Sequence, residues 1–563
     1  MATSKKPART PRQSPSRSAP SPAPSQSPAS EDPLHLIGRG VVPPVLNDPT
    51  RRVEMGLPAD ENEPGRYMVE LNILYRGGLR AASKAFDELW TKTLNEADRR
   101  NRPPIEISKS YTQIRISVKE WRELLRQDDE NAKGDSSLRV IYKLWPDFKV
   151  KALMDRSIAT VKADAAYKSY SATGSGITWA VIDSGIDGAH PHFGSKETKD
   201  KQMRSVIYHP NVEELHYDFT PDDATGPGSV NETPQARLAS AANALKDGLG
   251  HGTHVAGIIA GGLPKEAIEF PKPAQKDTLR FGVFEQVFEA NIEGQRLWSD
   301  KHPVQRTVPE PEALHGVAPR CMLVSLKVLD ENGNGRVSDI MRALVYVREQ
   351  LNDDPKMLRV HGVNLSVGYD FDAQMFACGQ SPLCVEVDRL VRSGVVVVTA
   401  AGNTGYGSIN AAERQQKVGL SNTINDPGNA SLAITVGSTH RDSPHTYGVS
   451  FFSSKGPTGD GRLKPDLVAP GERITSCASK AKCEKLGINV DDGVAAYVDD
   501  SGTSMAAPHV SGAIAAFLSI RREFIQRPED VKKIFLQTAT SLGRERYFEG
   551  HGLVDLMRAI QSV

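Results

Sequence analysis

Cysteine is scarce in this sequence, five residues in 563, and that density excludes a scaffold held together by disulfides. Cys378/Cys384 and Cys477/Cys483 each lie six apart in polar stretches, so either pair has the spacing to close a small disulfide, and the four together could hold a metal. Free thiols are the expected state. Cys321 opens the apolar run Met322 to Val328 and reads as core. An excess of one charge is lacking too: 69 basic residues face 69 acidic ones, so no global field marks the chain for nucleic acid or an anionic membrane. No apolar run approaches the roughly 18 residues of a membrane span. The N-terminus has no apolar segment of the secretory kind, because Lys5, Lys6, Arg9 and Arg12 give way to Pro and Ser, and a cytoplasmic location is therefore expected.

What is present is a composition of 39% hydrophobic and 25% charged residues, which gives room for one large domain plus extras. Residues 1 to about 30 are Pro, Ser and Ala and should be disordered, and a Pro- and charge-rich linker is expected to continue to residue 64. From 65 to 150 a small domain is predicted. It has a strand over Tyr67 to Tyr75, a helix carrying Leu79, Ala82, Phe86, Leu89 and Trp90, strands at Ile105 to Ser108 and Gln113 to Val118, a helix from Lys119 to Gln127 and a strand from Leu138 to Leu144. This β-α-β-β-α-β order is that of small ferredoxin-like α+β domains.

Beyond Ser157 short apolar runs alternate with helical patterns. Strands are expected at Ile177 to Ile182, Met322 to Val328, Val360 to Leu365, Val395 to Thr399 and Leu432 to Val436. Helices are expected at His254 to Ala260, Ser338 to Leu351, Val385 to Ser393 and Val510 to Ile520. That alternation predicts an α/β domain over 157 to 560, doubly wound around a mostly parallel sheet, with functional groups gathered at the carboxyl ends of its strands.

Two of those ends, and two helix starts, carry chemistry. Asp183 follows a buried strand in Asp183-Ser-Gly-Ile-Asp-Gly188, where a carboxylate can either cap a turn or orient an imidazole. His251 opens Gly250-His-Gly-Thr-His-Val-Ala-Gly257 and titrates near neutral pH, as a general base must. A competing reading groups His251 and His254 with His190 and His192 as metal ligands, but the spacing is not that of His-Glu-x-x-His. Asn403 ends Val395-Val-Val-Val-Thr-Ala-Ala-Gly-Asn403, where its amide can donate to an oxyanion; such a donor is worth roughly 3 kcal/mol of transition-state stabilisation. Ser504 lies in Asp500-Ser-Gly-Thr-Ser-Met-Ala-Ala-Pro-His-Val-Ser-Gly512, on a turn of small residues expected to run into the helix from Val510. A hydroxyl at a helix N-terminus sits beside unpaired N–H groups that stabilise an anion.

These motifs resemble those of the subtilisin family of serine proteases, in which the catalytic residues follow the order Asp, His, Ser. The matching pieces are Ala180-Val-Ile-Asp-Ser-Gly-Ile186, His251-Gly-Thr-His-Val-Ala-Gly257, Ala400-Ala-Gly-Asn403 and Gly502-Thr-Ser-Met-Ala-Ala-Pro508. Gly316-Val-Ala-Pro319, Lys327-Val-Leu-Asp330, Asn364-Leu-Ser-Val-Gly368, Phe452-Ser-Ser-Lys-Gly-Pro457 and Lys464-Pro-Asp-Leu-Val-Ala-Pro-Gly471 support them. The resemblance implies that Asp183 orients His251, that His251 takes the Ser504 proton, and that Asn403 with the Ser504 N–H binds the oxyanion. It also implies an extended peptide substrate between Gly333-Asn334-Gly335 and Ser366-Val367-Gly368. A primary pocket would lie between the second wall and Ala400-Ala401-Gly402.

By the same resemblance the 65–150 domain is a propeptide that inhibits the active site, with self-cleavage expected between about Lys149 and Thr160. Segments 194–245, 262–315 and 406–425 are longer than in compact family members and read as surface insertions. No cofactor is implied for the chemistry, and no metal ligand set is assigned. Structural calcium at the acidic residues Asp491, Asp492, Asp499 and Asp500 has no fixed spacing to support it. The expected partners are a protein or peptide substrate and the chain's own N-terminal domain. The alternative is a catalytically silent, peptide-binding relative.

Overall fold

The computed structural model describes residues 41–42, 44–54, 57–146, 156–221, 227, 232–263, 281–285, 288–290, 296–298, 303–306, 313–354, 356–370, 378–411 and 414–563. The chain divides into two compact units, residues 1–151 and 152–563. The tail expected over residues 1 to 30 lies outside the described residues, as does the expected cleavage window from Lys149 up to residue 155; the end of that window, Arg156–Thr160, is a short helix.

The first unit has strands β1 (Gly65–Leu71), β2 (Ile105–Ser108), β3 (Tyr111–Ile116) and β4 (Ile141–Pro146), with helices α1 (Gly78–Thr93) and α2 (Val118–Ala132). The strands form one antiparallel sheet in the order β2-β3-β1-β4. Leu89 and Trp90 of α1 and Trp121 and Leu124 of α2 pack with Val69 and Ile114 of the sheet, as the helical spacing requires. A capping box starts α2, with the Ser117 hydroxyl accepting from the Glu120 N–H and the Glu120 carboxylate accepting from the Ser117 N–H.

The expected linker up to residue 64 is corrected here. Val41, Val42, Leu46 and Leu57 belong to this core, and the Leu144 N–H donates to Val41 O. Arg52 is fully buried, its guanidinium donating to the carbonyls of Leu46, Pro58 and Ala59. Scattered Pro and charge hid these anchors, because a buried arginine satisfied by backbone carbonyls has no hydrophobic periodicity.

The second unit is built on seven parallel strands: β5 (Thr178–Asp183), β6 (Tyr217–Asp218), β7 (Met322–Lys327), β8 (Gly362–Leu365), β9 (Val396–Ala400), β10 (Ile434–His440) and β11 (Leu467–Glu472). Their order is β11-β10-β9-β8-β5-β7-β6. Alternation along β5 sends Trp179 and Val181 into one core and Ala180 and Ile182 into another, so both faces must be covered. Helices α3 (His251–Ile259) and α6 (Thr503–Ile520) cover the first face, and α4 (Val337–Tyr346) and α5 (Pro382–Arg392) the second. The pattern expected to Leu351 changes at Val347 into a short π-helical turn. Strand β11, which contains Pro470, was not among the expected strands; it ends the sheet, paired with β10 on one side and bridged at Val468 to Leu553 on the other.

Two expectations about α6 change. It begins at Thr503, not Val510, which makes Ser504 its second residue. It is also an apolar stretch of 18 residues with mean hydropathy 1.2, among the described residues the only helix long and apolar enough to cross a membrane. Most of it, Met505 to Leu518, is buried within the first core. One of the insertions is more than a surface excursion: within 262–315, Phe281–Glu285 pairs in parallel with Ala495–Asp500 and buries Val283, whereas Tyr406–Ala411 forms a separate hairpin with Arg414–Gly419.

Candidate active site

Because β5, β8 and β9 run parallel, they deliver Asp183, Ser366 and the Ala400–Asn403 turn to one edge of the sheet. Asp183 is the last residue of β5 and wholly buried. Its Oδ1 accepts from the Ser184 N–H at 2.8 Å and lies 2.7 Å from His251 Nδ1. Close packing of α3 on β5 sets that distance. Gly252 makes it fit, for a Cβ there would stand 2.2 Å from Gly185 O and 3.1 Å from Asp183 Cβ.

The His251 side chain is 25% exposed. Burial by itself would hold the imidazolium down. The Asp183 carboxylate, with Asp500 and Asp247 adding to the field, outweighs that cost and raises the group to about 9.

Ser504 is the one residue from Gly502 to Val510 that is not buried. Its hydroxyl donates to Ser366 O at 3.0 Å, while the Ser366 hydroxyl donates to Ser504 O at 2.9 Å. Asn403 turns its carbonyl oxygen to the start of α6, where Oδ1 accepts from both the N–H and the hydroxyl of Thr503 at 2.9 and 3.0 Å. The amide nitrogen consequently faces the other way. A Cβ built on Gly502 would lie 3.3 Å from Asn403 Nδ2 and 3.7 Å from the Ser504 backbone nitrogen, so two donors border the space that glycine leaves empty.

The remaining residues singled out from sequence frame this edge. Gly333, Asn334 and Gly335 lie on an exposed turn after β7, closed by the Asn334 N–H donating to Asp330 Oδ1. Val367 and Gly368 follow β8, and Gly368 abuts Asp426 O. Ala401 is buried, and Gly402, with φ +107°, donates its N–H to Thr503 Oγ1. Ala400 ends β9, and Ser366 follows the last residue of β8.

Asp247 escaped the sequence reading. Buried below the His251 turn, it accepts from the Ser184 hydroxyl, the Leu249 and Gly250 N–H groups, and both the N–H and the hydroxyl of Thr253. The Gly252 N–H donates in turn to Ser184 Oγ. Burial raises the Asp247 carboxyl above the usual range in spite of these donors. An Asp in a Gly-rich turn, followed by Thr, was the available signal.

The four histidines of the competing metal reading do not converge. His254 donates from Nε2 to Ile474 O and Val498 O, and burial lowers it to about 4. His190 and His192 bond Ala496 O, and Tyr497 and Ala260 O. Among the described residues no group of three or more His, Cys, Asp or Glu is placed to hold a metal ion. Asp492, Asp499 and Asp500 pair with Lys480, with Arg306 and Arg441, and with Lys482. All five cysteines are unpaired and buried; burial raises the Cys483 thiol to about 11.

A family model described as "Subtilase family" matches residues 174–553, a stretch that contains Asp183, His251, Asn403 and Ser504. Pyrolysin of Pyrococcus furiosus is 30% identical over 351 residues, which are 56% of this chain and 21% of pyrolysin. Serine protease AprX of Bacillus subtilis is 27% identical over 402 residues, 70% of this chain and 68% of AprX. Subtilisin E of Bacillus subtilis is 28% identical over 404 residues, 72% of this chain and 70% of the relative. The chain thus spans about a fifth of pyrolysin and about two thirds of the other two.

Proposed function

The chain belongs to the subtilase family of serine endopeptidases, and from that membership we propose that it hydrolyses peptide bonds with Asp183, His251 and Ser504 as its triad. The observation that carries the reading is the 2.7 Å contact between His251 Nδ1 and the buried Asp183 Oδ1. A carboxylate there keeps the ring proton on Nδ1 and leaves Nε2 as the base. The Ser504 hydroxyl, which rests on Ser366 O, turns about its side-chain bond to give its proton to Nε2 as Oγ attacks the substrate carbonyl. The new oxyanion forms between Asn403 Nδ2 and the Ser504 N–H. His251 then protonates the leaving amine, and a water activated by the same nitrogen clears the acyl-enzyme. This chemistry needs no cofactor.

The substrate is an extended protein segment, bound by strand addition between Gly333–Gly335 and Ser366–Gly368, with one side chain entering between Ser366–Gly368 and Ala400–Gly402. The first unit acts as an intramolecular inhibitor released by cutting between residues 149 and 160; its β-α-β-β-α-β order supports that role. Five unpaired thiols suit a reducing compartment, which supports a cytoplasmic setting. One observation favours a silent, peptide-binding relative instead, the Ser504 hydroxyl resting on Ser366 O.

A fluorophosphonate separates the two. An active enzyme gains one adduct, mapped to Ser504 by peptide mass, at a rate that climbs as His251 loses its proton. A chain that stays unlabelled from pH 6 to 10 even after its first unit has been cut away contradicts the protease reading and leaves the silent relative.

A further inference from the structure

Pro508 sits inside α6, four residues after Ser504. It has no N–H for the Ser504 carbonyl, and its ring crowds that same oxygen. The orphaned acceptor is met from outside the helix by the Ser366 hydroxyl, at 2.9 Å. That hydroxyl is aimed in turn: Ser366 Oγ accepts from Asn364 Nδ2 at 2.9 Å, and Asn364 Oδ1 accepts from the Ser511 hydroxyl at 2.9 Å. Asn364 and Ser511 are wholly buried. Each hydroxyl has one proton, which gives the line a single direction. Ser511 donates to Asn364, the amide donates to Ser366, and the Ser366 proton is left for Ser504 O. The line ties the end of β8 to α6 twice, at Ser504 and one turn beyond Pro508.

We propose that Asn364, held by Ser511, is a positioning residue for Ser504. It orients the Ser366 hydroxyl onto the carbonyl that Pro508 leaves without a helical donor, and so fixes the backbone from which the nucleophile projects. The inference rests on Ser504 acting as the nucleophile proposed above.

The test is a double-mutant cycle on the full chain, with kcat and KM measured on a peptide anilide beside melting temperatures. In the Pro508 enzyme, Asn364→Ala lowers kcat about 10- to 100-fold, the scale of a small misplacement of a reacting group, with KM within about threefold. In the Pro508→Ala background the same change costs less than about threefold, because the backbone N–H restored at position 508 takes the Ser504 carbonyl. Asn364→Leu keeps about the size and offers no donor, which leaves the Ser366 hydroxyl without the amide that aims it. It lowers kcat like the alanine variant without the cavity that alanine leaves. Equal losses of kcat in both backgrounds, or wild-type kcat in Asn364→Leu, overturn the proposal. A wild type no more active than Ser504→Ala defeats the protease reading itself and the proposal with it.

Discussion

His251 is the residue on which the pH behaviour turns. Its raised proton affinity means that the free base, the form the chemistry requires, fills only as pH climbs toward about 9. The rate kcat/KM should therefore rise through the alkaline range, and Asp183→Asn should move that limb down toward the ordinary histidine value of 6.5 while cutting kcat by about 10⁴. The same shift bears on stability with a definite sign. A group with a raised folded-state value stabilises fully below 6.5 and loses that contribution as pH passes about 9. Melting temperatures of Ser504→Ala measured from pH 5 to 10 should show this decline, and Asp183→Asn added to it should flatten the curve. For Asn403, replacement by Ala removes one oxyanion donor and should cost about 10² to 10³ in kcat with little change in KM. A change confined to KM would instead make Asn403 a ground-state contact.

At the scale of elements, the close seat of α3 on β5 is what brings His251 to Asp183. Gly252→Ala would set a Cβ against Gly185 O, push the helix off the strand and lengthen the 2.7 Å contact. The expected result is a lower melting temperature together with a loss of kcat; unchanged kcat would show that the helix tolerates the shift. This scale also separates what the sequence made legible from what it hid. The buried strands that end at Asp183 and lead to Asn403 were readable because a parallel strand covered on both faces is apolar throughout. The start of α6 was not, since Ala506, Ala507 and Pro508 after Gly502 have the look of a loop, while the packing of Met505, Ala506 and Ala507 in the core makes this stretch helix. Asp247 was hidden for another reason: a polar residue buried for hydrogen bonding leaves no periodic trace.

For the whole molecule, two units with separate cores fit the proposed maturation, in which one is cut from the other. The first unit extends back to Val41, so a released fragment should resist proteolysis from about residue 41 onward, not from 65. Limited digestion of that fragment with trypsin, followed by mass measurement, checks this.

Intact mass of the purified wild type beside Ser504→Ala, followed by offering each an unfolded protein, decides whether Ser504 cuts both this chain and a substrate. The account predicts that the wild type loses an N-terminal piece ending between residues 149 and 160 and degrades the substrate, and that the variant does neither. Substrate degradation by Ser504→Ala at the wild-type rate would contradict it.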